Sequence, residues 1–129
     1  MICLDSDFII DFLKGKEGAV NFINKSHENW ITTEINVFEV FLGIYLKKDI
    51  SERERSIANQ FFESIRVLSL SDCGRISAEI FAGLIKLGKR IDQNDCLIAS
   101  IMVKNGCNKI ITGNKKHFSR IKNINVVDY

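Results

Sequence analysis

The regular alternation of short apolar segments with longer helix-like ones most constrains what this chain can fold into. Apolar, strand-like runs occupy residues 2–4, 30–33, 67–70, 109–112 and 124–127. The residues between them read mostly as helices, and strands that alternate with helices are typical of α/β proteins whose strands run parallel. We therefore predict an α/β fold with a central, mainly parallel sheet of about five strands, flanked by helices.

Capping signals set the bounds of the helices that connect these strands. Ser51 with Glu54 forms a capping box, Ser71 can cap the following helix, and Gly106 is a good C-terminal stop. No proline, repeat or linker interrupts the order of elements, so residues 1–129 are expected to form a single domain. The predicted helices are residues 7–14, 18–25, 34–48, 51–66, 71–88 and the segment that follows Asp92 and stops at Asn105-Gly106.

Composition and charge are those of an ordinary soluble protein. Apolar residues make up 46% of the chain, charged residues make up 26%, and the net charge of +2 does not by itself announce a nucleic-acid binder. No apolar run reaches the length of about 18 residues that a membrane helix needs. No signal peptide is evident either, so we expect a cytoplasmic protein with no membrane partner.

The cysteines are widely spaced and lack any C-x-x-C pair. Cys3 and Cys96 lie inside apolar segments. This placement indicates reduced, core-type thiols rather than a zinc site or a disulfide framework. The four cysteines are Cys3, Cys73, Cys96 and Cys107.

Polar side chains follow several of the predicted strands. In chain order, the polar residues at or just beyond the ends of the first, second and fourth strands are Asp5, Ser6 and Asp7, then Thr32, Thr33 and Glu34, then Thr112 and Asn114. In a parallel α/β sheet, ligands bind outside the carboxyl ends of the strands, near the point where the strand order reverses. The sequence therefore predicts an acidic, hydroxyl-rich site at this edge. The isolated histidines, His27 and His117, are interpreted as structural or surface residues.

Each acid also has an interpretation that is purely structural. Asp5 can be the N-cap of the next helix, with Asp7 as a competing cap. Glu39 is the only charged residue between Glu34 and Lys47, and on a helical wheel it falls at the border of the apolar face.

The acids of the stretch IDQNDCLIAS, at residues 91–100, also have both a capping and a functional interpretation. One helix start needs one cap, and this stretch offers Asp92, Asn94 and Asp95. From the sequence, Asp92 and Asp95 could each be either a metal ligand or a helix cap. Carboxylates that converge repel one another unless they are protonated or bound to a metal, and Mg²⁺ favours carboxylate ligands and phosphate-bearing partners.

A basic segment adjoins the predicted site. Lys115, Lys116 and Arg120 follow the turn at residues 112–114. Such a run is usually a solvated surface, but it can also contact a nucleic-acid backbone beside an acidic pocket.

Four segments, taken in order, resemble the signature segments of PIN domains, and most closely those of VapC-type toxin ribonucleases. They are LDSDFIIDFL (4–13), ITTEINVFEVFLGI (31–44), IDQNDCLIAS (91–100) and IITGNKKHF (110–118). The resemblance covers nearly the whole chain. It implies a three-layer α/β fold with a Mg²⁺ or Mn²⁺ site that hydrolyses RNA and leaves a 5′-phosphate and a 3′-hydroxyl.

The resemblance also implies roles for individual residues. Asp5, Glu39 and Asp95 would be the catalytic, metal-holding acids, with Asp92 as an accessory metal ligand. Thr112 and Asn114 would support the site. Asn114 departs from the pattern, since many members carry an aspartate there, and this puts tight binding of a second metal in doubt. Relatives usually pair with a small VapB-like antitoxin and usually form homodimers.

Three other functions are possible alternatives for this sequence. Asp5-Ser6-Asp7 resembles the start of haloacid-dehalogenase-type phosphatases, but Ile9 and the lack of a downstream G-D-x-x-x-D segment disfavour that class. A receiver-type phosphoacceptor domain would need an Asp and a Lys at later strand ends, which this chain lacks. A degenerate PIN domain that binds RNA or protein without cleaving it is the main non-enzymatic alternative.

Overall fold

The computed structural model describes residues 1–129 as five strands and seven helices, so the predicted alternation is confirmed. The strands are β1 (Ile2–Leu4), β2 (Trp30–Thr33), β3 (Arg66–Leu68), β4 (Lys109–Ile111) and β5 (Asn125–Val127). The helices are α1 (Ser6–Leu13), α2 (Glu17–Lys25), α3 (Glu34–Tyr45), α4 (Glu52–Ser64), α5 (Gly74–Lys86), α6 (Gln93–Lys104) and α7 (Lys115–Phe118). None of these helices combines the length and apolarity needed to span a membrane.

The five strands form one fully parallel sheet in the order β3-β2-β1-β4-β5. β1 is central, and Cys3 is in register with Ile31 on one side and Ile110 on the other. The chain builds outward from β1 to β3 and then crosses to β4, so the strand order reverses beside β1. The crevice between the carboxyl ends of β1 and β4 is therefore the expected ligand position in this topology.

Helices cover both faces of the sheet and give three layers, as predicted. Cys3 and Ile110 point to one face and pack with residues of α5, α6 and α7. Leu4 and Ile111, their neighbours along each strand, point to the other face and pack with α1 to α4. This alternation is the two-residue period of a strand, and it leaves β1 and β4 buried on both sides. All four cysteines are buried and free, so their side chains lie in the core, as predicted.

Several predicted boundaries are wrong. α5 begins at Gly74 rather than at Ser71, because Asp72 adopts a left-handed conformation (φ 57°) that interrupts the helix. β3 ends at Leu68 and α3 at Tyr45, both earlier than predicted. The short helix α7 was not predicted. At α4 the Ser51 side chain accepts a hydrogen bond from the Glu54 backbone N–H at 3.2 Å, as the capping signal indicated.

Candidate active site

Asp5 lies directly beyond β1, at the N-cap of α1, and its carboxylate is almost fully buried. Its Oδ1 accepts hydrogen bonds from the Ser6 backbone N–H (2.8 Å) and from Asn36 Nδ2 (2.9 Å). Its Oδ2 accepts one from Thr112 Oγ1 at 2.6 Å. The cap and the site residue were alternatives in the sequence, and in the structure Asp5 occupies both positions.

Asn36 orients Asp5 from the first turn of α3. Thr33 caps this helix, and Asn36 completes a capping box because its Oδ1 accepts from the Thr33 backbone N–H (3.2 Å) and hydroxyl (2.7 Å). The amide nitrogen is thereby turned away from the cap, and it donates to Asp5 and to Ser6 Oγ, each at 2.9 Å. Asn36 is fully buried and both ends of its amide are engaged.

Glu39 follows Asn36 by three residues, so the two side chains share one face of α3. It is half-buried, and its Oε1 accepts a hydrogen bond from Ser6 Oγ at 2.8 Å. Ser6 thus bridges Asn36 and Glu39. We call this group of five residues the Asp5 half of the site: Asp5, Ser6, Asn36, Glu39 and Thr112.

A second group forms around Asp95, at the third position of α6. The Asp95 side chain is buried, and its Oδ2 lies 2.6 Å from His117 Nδ1 and 2.7 Å from Asn114 Nδ2. Asp92 holds the N-cap position without making a side-chain cap hydrogen bond, and its Oδ2 is 3.9 Å from His117 Nδ1. We call Asp92, Asp95, Asn114 and His117 the Asp95 half.

The turn between β4 and α7 joins the two halves. The Asn114 backbone N–H donates to Thr112 Oγ1 at 2.9 Å, and Thr112 in turn donates to Asp5. Asp7 fixes the same turn, since its Oδ2 accepts from the Gly113 backbone N–H at 2.7 Å. A Cβ at residue 113 would lie 2.6 Å from that oxygen, so any larger residue would push the Asp7 carboxylate out of this hydrogen bond.

Three carboxylates of the site, those of Asp5, Glu39 and Asp95, carry raised pKa values. Burial raises the pKa of Asp5 from 3.8 to about 7; the Asp7 and Asp95 charges add to this, while the Thr112 and Ser6 hydrogen bonds oppose it. Burial also raises the pKa of Glu39, with a smaller contribution from the Asp95 charge. The pKa of Asp95 is raised by burial, and His117 opposes the rise. Ionised together, these acids would repel one another in a poorly solvated pocket.

A bound divalent cation would remove that repulsion, and the donor set fits one. Asp5, Glu39 and Asp95 offer carboxylate oxygens, the ligands that Mg²⁺ and Mn²⁺ accept. Asp92, Asp95 and His117 each offer one ligand atom, and these atoms lie within 4.8 Å of one another. The hydroxyl and amide donors around Asp5 hold its carboxylate in a fixed orientation, as outer partners of metal ligands commonly do.

The basic residues beside the site differ in their freedom. Lys115 forms an ion pair with Asp128, and Lys116 is exposed on α7. Arg120 Nη1 donates to the Arg90 backbone carbonyl at 2.8 Å, which holds its guanidinium near the start of α6.

The residues proposed from the sequence come together, but the site holds more than they do. His117 was interpreted as an isolated, structural or surface residue; it is neither isolated nor on the surface, because its Nδ1 contacts Asp95 Oδ2 and its side chain is mostly buried. Asn36 was also missed, whereas Ser6 and Asp7 had been placed at this edge without a role. The Thr33-x-x-Asn36 spacing was a visible capping signal for Asn36, whereas nothing local marks His117, which reaches the site only through α7.

A fully parallel sheet in this order, with acids at the end of β1, in α3 and at the start of α6, defines an α/β protein with an acidic pocket at the strand-order reversal. The family model described as the PIN domain matches residues 2–124, and the chain belongs to that family. No curated protein sequence matches the chain.

Solved structures share this fold across nearly the whole chain at low sequence identity. A chain of VapBC2 from Rickettsia felis, bound to a DNA fragment from its promoter, is 23% identical with a TM-score of 0.87 and coverage of 100% of this chain and 99% of that chain. A chain of DNA-bound VapBC from Salmonella typhimurium is 24% identical, with a TM-score of 0.85 and coverage of 98% and 96%. Mycobacterium tuberculosis VapC20, described as a sarcin-ricin-loop-cleaving toxin, is 13% identical, with a TM-score of 0.73 and coverage of 96% and 98%.

Proposed function

We propose that this protein is a divalent-metal-dependent endoribonuclease and the toxin component of a toxin–antitoxin pair. The observation that carries the proposal is the assembly of Asp5, Glu39 and Asp95, three acids with raised pKa values, in one pocket of a PIN domain. Similarity in fold to VapC20, a toxin described as cleaving the sarcin-ricin loop, supports RNA as the substrate class.

The catalytic roles follow from the chemistry of the side chains. Asp5, Glu39 and Asp95 would hold the cation, with Asp92 as an accessory ligand. When bound, Mg²⁺ or Mn²⁺ would supply Lewis-acid polarisation of the phosphodiester and a water activated for attack. Asn36 and Thr112 keep the Asp5 carboxylate aimed at the pocket through hydrogen bonds of 2.9 Å and 2.6 Å.

Positive charge beside the pocket suits a phosphate backbone. Lys116 is exposed one turn away from Asn114, and Lys115 and Arg120 flank it along the same segment. Phosphate contacts of this kind position a nucleic acid without reading its sequence. We therefore assign these three residues to the RNA backbone and not to base recognition.

Apolar surface on α3 and α4 supports protein partners. Phe38, Leu42 and Leu46 are exposed, with 75% of Leu46 accessible. A groove of about 270 Å³ between α1, α3 and α4 is lined by Val40, Ile44 and other apolar side chains. Exposed apolar patches mark interaction sites in soluble proteins. Together with the VapBC complexes among the similar structures, these surfaces support a VapB-like antitoxin and a homodimer as partners.

Cleavage of structured cellular RNA by the purified protein tests the proposal. Cleavage is expected with Mg²⁺ or Mn²⁺ and is expected to vanish with EDTA and in Asp95→Asn. Asp49→Asn is a matched control, because Asp49 is an exposed aspartate outside the site. Ion binding without any cleavage would instead favour a non-catalytic PIN domain. Cleavage that persists in Asp95→Asn would refute the site assignment.

A further inference from the structure

We propose that His117 Nδ1 is a ligand of the bound cation and that this nitrogen shifts the preference of the site from Mg²⁺ toward Mn²⁺. The inference rests on the proposed function and specifies which ion the site takes. It concerns a residue that the sequence did not connect with the site.

The imidazole of His117 lies where a ligand of the cation would lie. His117 Nδ1 lies 2.6 Å from Asp95 Oδ2 and 3.9 Å from Asp92 Oδ2, so it faces both carboxylates of the Asp95 half. The ring is mostly buried, with 22% of the side chain accessible. Its residence on α7, whose Phe118 is fully buried in the core, fixes where the nitrogen points.

The two hydrogen-bonding neighbours of His117 Nδ1 make opposite demands on its protonation. The same nitrogen also lies 2.9 Å from Asn114 Nδ2, which is an amide donor. Nδ1 can donate to Asp95 only when it is protonated, and it can accept from Asn114 only when it is not. No single tautomer serves both neighbours. A cation between Nδ1 and the carboxylates would use the lone pair of the nitrogen and an oxygen of Asp95 together.

A nitrogen ligand among oxygen ligands affects which divalent ion the site prefers. Mg²⁺ is a hard ion that favours oxygen ligands and retained waters, whereas imidazole nitrogen suits transition-series ions. Mn²⁺ also favours carboxylate oxygen, but it accepts an imidazole nitrogen more readily than Mg²⁺ does, so a set of mostly oxygen donors with one nitrogen matches Mn²⁺ better than Mg²⁺. The Asp5 half contains no nitrogen ligand of this kind, so the preference depends on His117.

Ion binding by metal-stripped protein tests the assignment. Mn²⁺ is titrated by the loss of its free-ion electron paramagnetic resonance signal, and Mg²⁺ by competition. In His117→Gln we expect Mn²⁺ affinity to fall by about tenfold to a hundredfold. We expect Mg²⁺ affinity to change by less than about threefold, since its oxygen ligands remain. His27→Gln is the matched control, because His27 precedes the start of β2, at the opposite edge of the sheet from the site at the carboxyl ends of the strands.

Two further readouts keep the test independent of folding and of cleavage. His117→Asp replaces the nitrogen with an oxygen, so it should bind both ions and lose the preference for Mn²⁺. Pulsed electron paramagnetic resonance of the Mn²⁺-loaded protein should detect ¹⁴N coupling that is absent in His117→Asp.

An unchanged ratio of Mn²⁺ to Mg²⁺ affinity in His117→Gln, or the absence of ¹⁴N coupling in the wild type, would overturn the inference. Metal-dependent RNA cleavage could still be present in that case. An ion-loaded protein with ¹⁴N coupling that cleaves no RNA would refute the proposed function and leave the ligand assignment standing.

Discussion

The two halves of the pocket are built in opposite ways. In the Asp5 half, the two side chains that donate to Asp5, Asn36 and Thr112, are each held by further hydrogen bonds and are fully buried. In the Asp95 half, two side chains, Asn114 and His117, contact the same oxygen, Asp95 Oδ2, and they also contact each other. Asp92 is largely exposed. The Asp5 half therefore has one hydrogen-bonded arrangement of its polar side chains, whereas the Asp95 half has several.

This difference suggests a division of labour within the proposed site. A fully satisfied, buried network specifies one geometry and is costly to disturb. A partly exposed group with alternative partners can rearrange at low cost when a ligand binds. The Asp5 half thus resembles a fixed frame, and the Asp95 half is the part that would adjust to an ion or a substrate.

Loss of the central carboxylate should have the largest effect. In Asp5→Asn the pocket loses the carboxylate that the Asp5 half holds in place for the cation, and we expect RNA cleavage to fall by about a thousandfold or more. Initial rates under saturating Mn²⁺ measure this, with Asp49→Asn as the control. Retention of more than about a tenth of the activity would show that the frame does not hold the cation.

The raised pKa of Asp5 predicts an unusual pH dependence of stability. Between its ordinary pKa of 3.8 and its folded value of about 7, the folded protein binds a proton that the unfolded chain has released. Stability of the metal-free protein should therefore fall as pH rises from 5 to 8, by an amount on the order of a few kcal/mol. Glu39 and Asp95 shift in the same direction, and the lowered pKa values of Asp11 and Glu28 act only at lower pH.

Urea denaturation in EDTA at pH 5 and pH 8 measures this slope. Asp5→Asn should flatten most of it, which separates Asp5 from any other group that titrates in this range. Added Mn²⁺ should stabilise the wild type more at pH 8 than at pH 5, because the ion binds the ionised acids. Equal slopes in the wild type and in Asp5→Asn would contradict the assigned pKa.

Two asparagines test the contrast between the halves more directly. Asn36→Ala removes a buried amide that satisfies Asp5, Ser6 and Thr33, and it should lower the free energy of unfolding by roughly 1–3 kcal/mol. Asn114→Ala removes a half-buried amide from a group with other partners, and it should cost less than about 1 kcal/mol. Urea denaturation at one pH compares them. Equal costs would mean that the two halves are equally rigid.

The smallest effect is expected at the basic segment. Lys116 is exposed on α7 and is outside the ion pairs, whereas Lys115 is already paired with Asp128. In EDTA, which prevents cleavage, Lys116→Ala should reduce the salt dependence of RNA binding by a slope of about 0.7, the value for one phosphate contact on a single strand. Lys115→Ala should reduce it less. The reverse order would show that the Asp128 pair opens when RNA binds.

The same contrast separates what the sequence could and could not predict. Asp5, Glu39 and Asp95 were predictable because strand ends and helix starts are marked by local patterns of apolar and polar residues. The parallel sheet followed from the alternation of those patterns. His117 was not predictable, since a helix of four residues, α7, is too short to show a periodicity.

Asn36 falls between these cases. Its capping spacing with Thr33 was visible, but its contact with Asp5 depends on how closely α3 approaches β1, which is a matter of packing. The false start of α5 at Ser71 has a similar origin. A capping residue was present there, but the backbone of Asp72 turned the chain in a direction that the local signal did not encode.

The hydrogen bond between Thr112 and Asp5 joins residues 107 positions apart in the sequence. During synthesis, β1 emerges early, yet it stays without its β4 neighbour, and Asp5 stays without its hydroxyl donor, until residues 109–112 have been made. A growing chain cannot form the pocket piecemeal from its first segments. Any nuclease activity of this pocket would therefore begin only after residues 109–112 have been made and β4 has paired with β1.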